Sequence, residues 1–116
     1  MRTIFPTIVL ALVLAASLFS GNALAAGDAK AGEKAAAVCA ACHGADGNKT
    51  LDASYPKLGG QYADYLIKTL QDYRSGARVN VVMNGQVANL NDKDIADIAA
   101  WYASQTTDLK DLRDFK

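Results

Sequence analysis

The sequence predicts an all-α domain of three to four short helices with long loops between them. Apolar residues recur at helical spacing in 61–73 and again in 95–102. No stretch alternates apolar and polar residues for long enough to build a sheet. Residues 79–82 are apolar and β-branched but too few to carry one. Two further stretches, 44–60 and 77–90, read as loops, the first dense in glycine, asparagine and proline.

The chain begins with a positively charged start at Arg2, an apolar run over about 7–19, and a small polar stretch ending in Ala23-Leu24-Ala25. That order predicts a signal peptide over residues 1–25, cleaved after Ala25, with one domain over 26–116. The apolar run falls short of the about 20 residues that span a bilayer, so no stable membrane insertion is expected after cleavage. The implied destination is the periplasm. Lysines and arginines number 12 against 12 aspartates and glutamates, so no nucleic-acid partner is indicated.

Asp28 reads as the cap of a first helix over 29–37, interrupted only by Gly32. A mid-helix glycine costs about 1 kcal/mol relative to alanine, so its presence points to a close helix–helix approach. The loop over 44–60 is long for so small a domain, and such loops are usually functional. The second helix, over 61–73, carries Tyr62, Tyr65, Leu66, Thr69, Leu70 and Tyr73 on one face and stops at Arg74-Ser75-Gly76. A second loop over 77–90 holds Met83 and Gly85. Asn91 then caps a last helix reaching Ser104 or Gln105, and the tail with Leu109, Leu112 and Phe115 can add a turn or two.

Both cysteines of the chain and its only histidine fall in Cys39-Ala40-Ala41-Cys42-His43. Four chemistries use C-x-x-C. A thioredoxin-like pair needs strands that are not visible here. A zinc site needs four ligands, and only three are at hand. A disulfide suits an exported protein but would close a very small loop and leave His43 without a role. C-x-x-C-H as a covalent haem site accounts for all three residues. Two intervening residues let both sulfurs reach the vinyl groups of one porphyrin, and the adjacent His43 becomes the proximal iron ligand. With no second histidine, Met83, the only methionine after the leader, is the candidate for the remaining axial place; its other reading is a core filler, but a lone methionine in a loop is better explained by ligation.

The segments CAACHGADGN, YPKLGGQ, YL, RVN, a methionine, and LNDKDIADIAAWYASQ, in that order, resemble a class I c-type cytochrome of the small bacterial c-four/c-five-five-three group. The resemblance covers about 26–105. It implies a cytochrome c fold wrapped around one covalent haem c, with the terminal helices crossing. It further implies that the Pro56 carbonyl hydrogen-bonds His43 and that Gly32 meets Trp101 at the helix crossing. The segment between Arg78 and Met83 is shorter than the group's pattern, and the tail after Gln105 is longer.

Tyr55, Leu58, Tyr62, Tyr65, Leu66, Val82, Val87 and Leu90 are further candidates for the haem pocket, and each could equally be ordinary core. Gln61 and Arg78 are candidates to reach the haem propionates. The implied function is a non-enzymatic carrier of single electrons that meets redox-partner proteins transiently. The alternatives are a haem enzyme or gas sensor with an open sixth site, or the haem subunit of a respiratory complex.

Overall fold

The computed structural model describes residues 26–107 and 109. Residues 1–25, the expected leader, and the remainder of the tail lie outside the described residues. Five helices follow in order: α1 (Ala29–Ala35), α2 (Ala40–His43), α3 (Ala63–Ser75), α4 (Val81–Val87) and α5 (Asp92–Ala103). A 3-10 turn, Ala36–Val38, joins α1 to α2. Among the described residues there is no strand.

Helix α1 starts at Asp28, whose carboxylate accepts from the amides of Lys30 and Ala31. Its crossing with α5 is set by Gly32. A Cβ there would lie 1.9 Å from the Asp97 carbonyl oxygen and 2.9 Å from the Trp101 Cβ. Only a hydrogen side chain lets the two backbones meet. A second tie holds the crossing, because the Asp28 amide donates to the Asp97 carboxylate at 2.8 Å. The expected run over 29–37 stops as an α-helix at Ala35 and tightens into the 3-10 turn.

Helix α3 ends where Gly76 adopts a left-handed conformation (φ 83°), which glycine accepts without a Cβ penalty. Helix α5 opens with a capping box. The Asn91 side chain accepts from the Asp94 amide, and the Asp94 carboxylate accepts from the Asn91 amide. The buried core joins Ala36, Leu66, Ile98, Ala99 and Tyr102, so α5 is the spine on which α1 and α3 pack.

The second expected loop is corrected, and with it the expected count of three to four helices, which is five among the described residues. Residues 77–90 are not a loop throughout, because 81–87 form α4. Asn80 nucleates it by accepting from the amides of Val82 and Met83. Valines and Gly85 have low helix propensity, which hid the helix. Val82, Met83, Gln86 and Val87 nevertheless sit at helical spacing and share one face. Met83 is therefore a helix residue.

Candidate functional site

The cysteines and the histidine are brought together by a single helical turn. The amides of Cys42 and His43 both donate to the Cys39 carbonyl, at 3.2 and 2.9 Å. Positions i, i+3 and i+4 then project to one side. Gly44 (φ 85°) ends the turn and redirects the chain. The loop that follows is pinned to the helices. Leu51 donates to the Cys42 carbonyl, Gly60 to the Tyr102 carbonyl, and the Trp101 indole to the Ala45 carbonyl.

That loop delivers Pro56 to the histidine. His43 is 5% exposed, and its Nδ1 lies 2.8 Å from the Pro56 carbonyl oxygen. A carbonyl can only accept, so Nδ1 carries a proton, and in the neutral ring the lone pair lies on Nε2. The Tyr55 ring stands edge-on to the imidazole, centroids 6.1 Å apart.

Cys39, Cys42 and His43 open onto one cleft of about 870 Å³, part of it open to solvent. Val38 and Ala41 flank the cysteines. The loop adds Tyr55 and Leu58, and α3 adds Leu66 and Leu70. Met83, Val82, Gln86 and Val87 enter from α4, followed by Leu90, then Ile98 and Tyr102 from α5. The Tyr102 phenol is fully buried, and burial pushes its pKa up, so it stays neutral. Cys39 and Cys42 are not joined to each other, and burial likewise pushes up the pKa of the Cys39 thiol. Among the described residues no three His, Cys, Asp or Glu side chains converge as a metal-ion cluster.

These groups fit a haem. The walls are apolar, two thiols stand one helical turn apart, an imidazole presents a free nitrogen, and a soft thioether shares the cleft. Six of the eight further candidates line it: Tyr55, Leu58, Leu66, Val82, Val87 and Leu90. Tyr62, just before α3, and Tyr65, on α3, do not, and lie exposed. Gln61 and Arg78 are also off the lining. The Gln61 side-chain oxygen accepts from the Tyr62 amide. The Arg78 guanidinium sits 4.9 Å from the Tyr73 ring centroid and bonds the Tyr65 phenol, which lowers the phenol's pKa. Leu70, Ile98 and Tyr102 were legible as helix-face residues, but nothing in their spacing says that the face lines a cleft.

The family model for cytochrome c matches residues 29–106. The chain belongs to the cytochrome c family. It is 54% identical over 86 residues to cytochrome c4 of Pseudomonas aeruginosa, covering 74% of this chain and 42% of that protein. It is 48% identical over 83 residues to cytochrome c-554(548) of Halomonas halodenitrificans, covering 69% of this chain and 99% of that one. The crystal structure of reduced recombinant cytochrome c4 from Pseudomonas stutzeri superposes with a TM-score of 0.66 at 44% identity, over 70% of this chain and 47% of the other. The chain thus spans about half the length of the cytochrome c4 relatives it matches. The matches agree with the resemblance read from the sequence and with an all-helical class I cytochrome c fold. Membership in this family implies a covalently attached haem c with its iron.

Proposed function

We propose that this cytochrome carries single electrons between redox partners in the periplasm, using one haem c. Residues 1–25 direct export and are removed after Ala25. Cys39 and Cys42 form the two thioether bonds, His43 Nε2 is the proximal iron ligand and Met83 the distal one. Pro56 holds the imidazole in its tautomer and orientation, as the outer partner of a ligating histidine does. Gln61 and Arg78 are the candidates to meet the haem propionates beyond the apolar walls; the Gln61 side-chain oxygen accepts from the Tyr62 amide and the Arg78 guanidinium lies over the Tyr73 ring.

The observation that carries this reading is the sharing of one apolar cleft by Cys39, Cys42, His43 and Met83, with His43 Nδ1 already committed to Pro56. The haem supplies the one-electron chemistry. The protein supplies ligands, orientation and exclusion of water. A thioether ligand raises the reduction potential. An enzyme acting at an open sixth site needs acid–base groups beside it. Apart from His43, the cleft lining contains no histidine, carboxylate, lysine or arginine, which favours the carrier over the peroxidase-like alternative. Partners would dock through small, short-lived interfaces at the cleft mouth. Among the described residues no helix is long and apolar enough to cross a membrane.

Visible absorption of the exported protein tests this. The expected result is a c-type reduced spectrum and a weak far-red sulfur–iron band when oxidised. The reduced form should not change with carbon monoxide. Met83→Ala should abolish the far-red band and make the reduced protein bind carbon monoxide. A wild type that binds carbon monoxide at once, without that band, would move the reading to an enzyme or sensor. Co-purification with a larger complex would instead make it a subunit.

A further inference from the structure

Helix α4 carries Met83 but has little of its own to hold it in place. It has seven residues, too few to be stable alone. Val81 is 90% exposed, and Val87 is its only buried residue. Its polar tie to α3 runs through the Asn84 side chain, which also closes on the helix's own N-cap, Asn80. The Asn84 Oδ1 accepts from the Asn80 amide at 2.7 Å, and its own amide donates to the Asn80 carbonyl at 2.8 Å. Its Nδ2 donates to the Tyr73 carbonyl at 2.6 Å and to the Arg78 carbonyl at 2.9 Å. Both donors and one acceptor of the side chain are thus used, and the donors reach the last turn of α3 and the segment leading into α4. At the far end, the Arg74 guanidinium donates to the Leu90 carbonyl at 2.9 Å and pairs with Asp92 at 2.6 Å. Two consecutive residues of α3, Tyr73 and Arg74, therefore strap both ends of the segment bearing Met83.

Adjacent residues on a helix point about 100° apart. Met83 lines the cleft and Asn84 does not. Anchoring Asn84 on α3 therefore fixes the rotation of α4 about its axis, and with it the direction of the Met83 side chain. We propose that Asn84 is the positioning residue for Met83, its side-chain amide turning the thioether into the cleft and resisting its release. This rests on the reading of Met83 as an axial ligand. No apolar residue could replace the amide, because the two carbonyls it satisfies offer only acceptors. Aspartate has nearly the same shape but would face them with oxygen.

The test uses the haem-loaded, exported protein. It compares wild type with Asn84→Asp, Asn84→Ala and Asn84→Ser by the far-red band and by carbon monoxide binding to the reduced form. The expected result is a weakened band and a roughly tenfold or larger rise in the carbon-monoxide-reactive fraction for the aspartate and alanine variants. Serine, which keeps one donor, should fall between them and wild type. It carries the test if the other two do not accumulate. Asp28→Ala removes the cap of α1, whose carboxylate accepts from the Lys30 and Ala31 amides and not from α4, and serves as the stability control. It should lower the melting temperature while leaving band and carbon monoxide response unchanged. Asn84 variants that keep the wild-type band and stay inert would overturn the proposal and leave the carrier reading standing. Equal loss of the band in Asp28→Ala would also overturn it, by reducing the effect to general stability. A wild type without the band would remove the ligand reading and the proposal together.

Discussion

His43 has one ring nitrogen committed to a backbone carbonyl and one free, and that division is what makes it useful to a metal. Asp97 is a second buried polar residue with a defined task. Lys93 pairs with its carboxylate, the Asp28 amide donates to it, and both hold its pKa below the ordinary carboxylate range. A depressed folded-state pKa stabilises the protein above the unfolded value, about 3.9, and that contribution is lost as pH falls through the folded value. Asp97→Asn should therefore melt below wild type at neutral pH. The gap should close as the pH is taken below about 4. Thermal melts at a series of pH values check this, and a constant gap would show that Asp97 acts by packing alone. Residue roles of this kind were only partly readable from the sequence. The C-x-x-C-H spacing placed Cys39, Cys42 and His43 on one side, because one helical turn fixes their geometry locally. Asp97, 69 residues beyond Asp28, gave no such signal.

The α1–α5 crossing depends on the absence of a side chain at Gly32. Gly32→Ala would place a Cβ against the Asp97 backbone, which cannot yield as a flexible side chain could. Overpacking of this kind costs roughly 1–3 kcal/mol or more. In a domain of this size each kcal/mol lowers the melting temperature by about 4–8 °C. The far-red band should survive, since Gly32 is not part of the cleft. Melting curves and visible spectra of the haem-loaded variant check both halves. The close approach was legible from a glycine inside an alanine-rich helix, and Asp28 and Asn91 were legible as caps because capping is local. Helix α4 was not. Its stability comes from Asn80, Asn84 and the end of α3, and its valines and glycine argue for a loop when read alone.

At the scale of the molecule, residues from α2 to α5 wall a cleft that α3, α4 and α5 cannot close against one another. The apolar side chains around it need a partner to cover them. The chain produced in cells that cannot attach haem should therefore show much less helix by far-ultraviolet circular dichroism than the haem-loaded form, and should melt without a cooperative transition. A fully helical, cooperatively melting haem-free chain would mean that the terminal helices alone sustain the fold.

The sequence by itself determined the helical class, the caps and the C-x-x-C-H spacing, because each depends on residues within a turn or two of one another. Only the tertiary structure decided that Met83 rides on a helix and that Leu70, Ile98 and Tyr102 face the cleft. It also decided that Tyr62, Tyr65, Gln61 and Arg78 do not, because those placements depend on how α3, α4 and α5 meet across long stretches of chain.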